Sequence, residues 1–357
     1  MDPKILIFFP LIFSFLIAYL VTPLVIRVYW KLKIIDDPSI SKHLKTIHTY
    51  PVPRGGGLAI FIAFFLSSVI FLPIDKHLMG IIAGSLLITV MGILDDKYNL
   101  NPYTRLIFGF LFVLIPIGAG IGISFLQVPF LGNINLSQPQ INFYFLGGFH
   151  SIWILSDLFA LFWIVFLMNM LNMGAKGVDG QLPGVVSIAA ITIAVLSLRF
   201  SGDAAQWPLI TLAIITAGAY LGFLPWNIYP QKIMPGYGGS TLAGYLLAIF
   251  SILSTSKVGT LVVVLGVPLI DTGYTIVRRI LSGKSPLWGD TGHLHHRLLA
   301  IGWSKKKVSA FYWLITAILG ILAVNLNRPS KFYTMIAIVF LLGGLILWLT
   351  YHPKRSR

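Results

Sequence analysis

Eleven apolar runs, each about the 20 residues that a helix needs to cross a hydrocarbon core roughly 30 Å thick, follow one another along this chain of 357 residues. They lie near 5–27, 57–73, 77–94, 105–124, 152–170, 182–200, 207–224, 239–255, 258–274, 308–325 and 332–350. The pattern predicts an all-α polytopic integral membrane protein with about eleven transmembrane helices in a single domain, 1–357. The first run is too long for a cleaved leader and meets Arg27, Trp30 and Lys31 instead of a small-residue cleavage site, so it is expected to remain as a helix. Only 10% of residues are charged, where a soluble domain carries about 25%.

Charge placement sets an orientation, because Lys and Arg gather in cytoplasmic loops. With sides alternating at each run, most of the 26 basic residues fall on one side, and only Lys4, Lys76, Arg199, Lys257, Arg328 and Lys331 on the other. This predicts the N-terminus outside, the C-terminus cytoplasmic, and a plasma (inner) membrane protein. Loops 31–56, 95–104, 171–181, 225–238 and 275–307 are then cytoplasmic and form the active face, while the stretch from Phe125 to His150, without Lys or Arg, is an outside loop. The net charge of +15 is divided among short loops, so it suits topology and anionic lipid contact and no nucleic acid. With no cysteine, disulfides, thiolate metal sites and a cysteine nucleophile are excluded.

Polar groups near membrane depth are costly and mark function. Four stretches carry them, all on the side assigned to the cytoplasm. Asp95 and Asp96 are adjacent carboxylates in MGILDDKYNL. They repel each other unless a cation or proton intervenes, and magnesium, which favours one or two carboxylates plus phosphate oxygens, is a natural partner; a solvated turn beside Lys97 is the plain alternative. In NMLNMGAKGVDGQLPG, Asn169 and Asn172 share a helix face if the helix continues. Gly174, Gly177, Gly180 and Gly184 then permit close backbone approach to a ligand, unless the segment is only a connector.

The third stretch, residues 271–307, holds Arg278 and Arg279, which can fork onto phosphate oxygens, and the cluster His293, His295, His296 followed by Arg297. Three imidazoles can serve as proton donors, metal ligands or phosphate contacts. The fourth, Asp36 to Phe61, offers Lys45, His48 and Arg54 ahead of the run Gly55 to Gly57, unless it is only a basic cytoplasmic loop.

In this order the stretches resemble the polyprenyl-phosphate N-acetylhexosamine-1-phosphate transferases, membrane enzymes that start lipid-linked glycan synthesis. The resemblance spans about residues 20–300 and rests on H-x-x-P-x-P-R-x-G-G at His48 to Gly57, the pair Asp95–Asp96, N-x-x-N at Asn169 and Asn172 leading to Val178–Asp179–Gly180, and D-x(6)-R-R with H-L-H-H-R between Asp271 and Arg297. The H-x-H-H form is similar to the branch that starts teichoic acid, O-antigen or capsule assembly. The resemblance implies a UDP-N-acetylhexosamine, most simply UDP-GlcNAc, a polyprenyl phosphate acceptor, release of UMP, and magnesium, or manganese in its place. A homodimer is left open. Carried over by residue, Asp95, Asp96, Asp179, His293, His295 and His296 are expected as catalytic residues. Asp95, Asp96 and Asp179 are expected to hold the metal, and Lys45, His48, Arg54, Asn169, Asn172, Lys176, Gly180, Arg278, Arg279 and Arg297 to bind the substrates.

Two positions depart from the family's pattern. Its D-G-x-D-G reads Lys176–Gly177–Val178–Asp179–Gly180 here, and its G-D-x-G-S, whose Asp is a metal ligand, reads Gly236–Tyr237–Gly238–Gly239–Ser240. A phenol with a pKa of about 10 is a poor magnesium ligand. Either the remaining aspartates suffice, or Lys176 replaces part of the metal's charge, or the site is altered and the chain binds lipid phosphate or nucleotide sugar without turning it over. A transporter is the remaining alternative and would require the charged groups near mid-helix.

Overall fold

The computed structural model describes residues 7–40, 47–128, 132–145, 148–254, 257–286 and 291–351. Lys45 lies outside the described residues, as do Lys4, Lys42, Lys354, Arg355 and Arg357 of the charge pattern. Every one of the eleven apolar runs coincides with helix: α1 (Phe8–Lys31), α2 (Gly56–Phe71), α3 (Lys76–Tyr98), α4 (Pro102–Gly118), α5 (Ile154–Gly174), α6 (Gln181–Leu198), α7 (Gln206–Asn227), α8 (Gly236–Leu253), the pair α9 (Lys257–Val264) and α10 (Gly266–Leu281), α12 (Lys305–Asn325) and α13 (Arg328–Tyr351). The short α11 (Leu294–Ala300) carries part of the histidine cluster. Among the described residues eight helices are long and apolar enough to cross a membrane, or nine if the bent pair α9 and α10 is one span. The chain is a multi-pass membrane protein.

The differences from even spans have local causes. α9 and α10 meet at an 83° bend; Pro268, in the first turn after it, has no N–H to continue the earlier helix's ladder. α2 and α4 hold 16 and 17 residues. Nor is the fold wholly helical. Three two-stranded antiparallel ladders form: β1 (Ile35–Asp36) with β2 (Val52–Pro53), β3 (Phe125–Val128) with β4 (Gly132–Asn135), and β5 (Gln140–Phe145) with β6 (Gly148–Trp153). The last two occupy the segment expected as a plain loop, where branched and aromatic residues such as those of QINFYF suit a pleated strand.

Side-chain caps sharpen the helix ends that matter. Asp75 accepts from the Leu78 N–H at the start of α3, Asn101 from the Tyr103 N–H at the start of α4, and Ser304 from the Lys307 N–H at the start of α12. α3 stops at Asn99, whose φ of 48° is left-handed. At the centre stands α8, buried at every residue from Gly236 to Ile252, whereas α13 exposes Phe340 and Leu341 as a lipid-facing helix does. A Cβ on Gly92 of α3 would strike the backbone of Gly238, and one on Gly57 of α2 would strike the backbone of Gly239. These missing side chains let three helix backbones touch, as small residues do between membrane helices.

The contacts also sort the helix ends. Asp96 at the end of α3 lies against Gly236 at the start of α8, Asn172 at the end of α5 accepts from Ser240 of α8, Gly180 beside α6 donates to Asn227 at the end of α7, and Arg297 reaches Thr350 at the end of α13. At the opposite end, Arg199 after α6 donates to the Val324 carbonyl oxygen of α12 at 2.6 Å, and Lys331 of α13 to Thr260 of α9 at 2.9 Å.

Candidate functional site

The adjacent carboxylates emerge at the last turn of α3, enclosed by cations. Asp95 is buried, and Arg105 Nη1, ten residues on across the turn into α4, stands 3.2 Å from both of its oxygens. Asp96 turns toward the start of α8, its carboxylate beside Gly236 and Tyr237. A Cβ on Gly236 would come within 2.8 and 2.9 Å of its two oxygens, and the φ of +68° there also requires glycine. Lys176 sends its ammonium into the same space, donating to Asn172 Oδ1 at 2.9 Å and to the Gly236 carbonyl oxygen at 3.4 Å. Ser240 Oγ donates to the same Asn172 oxygen at 2.7 Å. Burial pulls the Lys176 pKa down to about 8; Asp95 and Asp96 oppose the shift, and Arg105 and Arg54 add to it.

Arg54 completes this group through the ladder of β1 and β2. Its guanidinium pairs with Asp36 at 2.7 Å and donates to Asn99 Oδ1 at 2.7 Å, so the residue that ends α3 also fixes the arginine. His48, expected at the substrate, is buried with Nε2 3.4 Å from the Asp36 carbonyl oxygen and braces β1.

Asp179 belongs to a neighbouring group. Its carboxylate faces Lys305 Nζ at 3.4 Å and accepts from the Gln231 N–H at 3.4 Å, and its carbonyl oxygen accepts from Ser309 Oγ at 2.6 Å. Gly180, with φ +80°, caps α6 and donates its N–H to Asn227 Oδ1 at 3.0 Å. The helix does continue through both asparagines, but Asn169 donates to its own helix at Val165 O, and only Asn172 reaches the acid pair's surroundings.

The histidines form the third group. Asp271, fully buried on α10, accepts the Leu294 N–H at 2.6 Å and lies 3.0 Å from His293 Nδ1. A carboxylate on Nδ1 favours the proton there and leaves Nε2 as the exchanging nitrogen. The rings of His293, His295 and His296 follow one another at 5.6 and 4.3 Å. Burial, then the neighbouring His296 and His293, hold His295 well below the ordinary imidazole pKa. Its ring packs directly on Gly177. The loop 175–180 therefore lies between the histidines and the acid pair. Gly177→Leu is expected to displace His295 and to lower stability by about 1–3 kcal/mol, the usual cost of overpacking, read as an earlier thermal unfolding midpoint in detergent.

Several expectations take a different form. The glycines expected to admit a ligand mostly admit neighbours: Gly174 meets Thr272 and Pro268, Gly177 meets His295, and Gly184 meets Trp313. Arg279 is buried and donates to the Pro286 carbonyl oxygen at 2.7 Å, Arg278 packs on Gly292, and Arg297 donates to Gly292 O at 3.0 Å and to Thr350. All three meet Pro286 or Gly292 in the chain that leads from α10 to α11. Arg105, Asp271 and Lys305 were not among the expected site residues, although Asp271 opens the D-x(6)-R-R motif.

The metal expected on Asp95, Asp96 and Asp179 can be tested on these groups. Among the described residues no three His, Asp or Glu side chains gather as a metal-holding group. Arg105 spans both oxygens of Asp95, Asp179 faces Lys305, and an ammonium already stands beside Asp96. The three aspartates do not fit a shared cage. Asp95, Asp96, Asp179 and the histidines all lie at helix ends or in loops, away from mid-helix.

The family model of glycosyl transferase family 4 matches residues 78–255. A probable undecaprenyl-phosphate N-acetylglucosaminyl 1-phosphate transferase of Bacillus subtilis (strain 168) is 34% identical over 343 residues, covering 92% of this chain and 88% of the relative. A decaprenyl-phosphate N-acetylglucosaminephosphotransferase of Mycolicibacterium smegmatis is 29% identical over 308 residues, covering 77% and 72%. A phospho-N-acetylmuramoyl-pentapeptide-transferase of Caldanaerobacter subterraneus subsp. tengcongensis is 28% identical over 333 residues, covering 87% and 96%.

Proposed function

This chain belongs to glycosyl transferase family 4, among the polyprenyl-phosphate N-acetylhexosamine-1-phosphate transferases, and from that membership and the site's geometry we propose that it transfers GlcNAc-1-phosphate from UDP-GlcNAc to a polyprenyl phosphate. The observation that carries the reading is the acid pair Asp95–Asp96 enclosed by Arg54, Arg105 and Lys176 at one end of the helices. Two phosphorylated substrates repel each other, and fixed cations in a site of low dielectric offset that repulsion.

An oxygen of the lipid phosphate attacks the β-phosphorus of the UDP-sugar. The bond from that phosphorus to the oxygen bridging the two phosphates breaks, and UMP leaves with that oxygen and its electron pair. A phosphate monoester has its second pKa near 6, so the attacking group is largely a dianion at neutral pH and needs little proton removal. Positioning is then the main task. Asn172 and the Gly236 carbonyl oxygen hold Lys176, and Asp36 and Asn99 hold Arg54, where the phosphates meet them; Asp96 acts on Lys176 electrostatically, Asp95 holds Arg105, and His293, oriented by Asp271, offers Nε2 to the sugar or its phosphate.

An apolar groove of about 230 Å³ between α3 and α4 supports a lipid acceptor. Leu87, Val90, Leu94, Phe108 and Phe112 line it, and Met91 lines both the groove and the space shared by Arg105 and Tyr237. Val90→Trp is expected to raise KM for a long polyprenyl phosphate about tenfold with kcat little changed, the signature of lost ground-state binding. A short-chain acceptor should be unaffected.

The chain crosses a plasma membrane eleven times, with its N-terminus outside and the site on the cytoplasmic face. The excess of Lys and Arg on the site's side and the alternation of helix ends at that face support this topology. The test is turnover in nanodiscs: UMP should form only when UDP-GlcNAc and polyprenyl phosphate are both present. UMP formed equally without the lipid would reject the reading.

A further inference from the structure

We propose that the ammonium of Lys176 is the resident cation of this site, and that the transfer runs without a divalent metal ion. The inference rests on the function proposed above. Where the family resemblance places two carboxylates, this chain has Lys176 and Tyr237, an exchange that removes two negative charges and adds a positive one. The ammonium occupies a shell of oxygens: Asn172 Oδ1 at 2.9 Å and the Gly236 carbonyl oxygen at 3.4 Å, with Asp95 and Asp96 acting on it electrostatically. Asn172 is itself fixed by the Ser240 hydroxyl, so the shell is built on the ends of α5 and α8.

The Tyr237 position is closed to an ion from the other side. Its ring is buried, with the Arg105 guanidinium 5.0 Å from its centre, and that guanidinium spans both oxygens of Asp95. The remaining acid, Asp179, faces Lys305. Two of the three carboxylates expected to hold the metal are thus paired with a side-chain cation, and the third, Asp96, shares the start of α8 with the Lys176 ammonium. An ammonium is a compact charge with three N–H donors. Lys176 donates to non-bridging oxygens of the β-phosphate as the lipid phosphate attacks and UMP leaves; it keeps its protons, so the balance of the transfer is unchanged.

The experiment compares turnover of the unaltered protein in nanodiscs, stripped and assayed in EDTA, with turnover in excess magnesium. Lipid product should form at rates within about twofold of each other; a fall of about 100-fold or more in EDTA, restored by magnesium or manganese, is the scale of a lost electrophilic group and would overturn the inference while leaving the proposed function intact. Product in neither condition would overturn both. A readout independent of turnover is manganese binding by paramagnetic resonance without nucleotide. The unaltered protein should hold no manganese, and the pair Lys176→Asp, Tyr237→Asp should gain one ion. A tightly held ion in the unaltered protein would contradict the inference, and because that arm needs no variant, failure of the double variant to fold does not protect it.

Discussion

Asp96→Asn should lower kcat about 10³-fold, within the range that single preorganised charges and acid–base groups supply, with little change in the thermal unfolding midpoint. Asn keeps the size of the side chain, so the packing against Gly236 at the start of α8 survives. What is lost is the carboxylate whose field acts on the Lys176 ammonium beside the start of α8. Release of UMP in nanodiscs measures the effect. Activity within tenfold of the unaltered protein would remove Asp96 from the mechanism.

The second large effect is expected at Asp271→Asn. The carboxylate serves two buried groups at once, the Leu294 N–H at 2.6 Å and His293 Nδ1 at 3.0 Å. Asn has one acceptor oxygen and adds an NH2, so one buried donor is left facing another. Leaving a buried polar group unsatisfied costs about 1–3 kcal/mol. A misoriented imidazole should lower kcat about 10²-fold, at the lower end of the range for acid–base groups. Asp271 acts through His293 as a positioning residue. A merely structural role would move the unfolding midpoint without altering the pH dependence of kcat, whereas loss of the oriented tautomer should alter both.

Much of the architecture was legible because the membrane imposes a length. Each apolar run became a helix in its place, but the run 258–274, expected as one even span, breaks at 83° just before Pro268. The ladders β3–β4 and β5–β6 do not follow from the absence of basic residues, which bears on sidedness alone; branched and aromatic residues such as those of QINFYF carry the strand signal. At the site, short motifs located Asp95, Asp96, Asn172, Lys176 and the histidines. Their partners were hidden by distance along the chain: Asp179 and Lys305 are 126 residues apart, and Asn172 and Ser240 are 68. Arg105, ten residues from Asp95, was legible only through the turn at Asn99 and Pro102 that folds α4 back beside α3. The glycines were expected to let a ligand approach the backbone; what packs on Gly174, Gly177 and Gly184 is the protein itself.

Attack at the β-phosphorus of the UDP-sugar is the central step of the proposed transfer. UDP-GlcNAc labelled at the β-phosphorus, supplied with polyprenyl phosphate to the protein in nanodiscs, follows that atom. The account predicts label in the lipid product with one unlabelled UMP released for each transfer; label retained in water-soluble UDP, with only the sugar passing to the lipid, would contradict it.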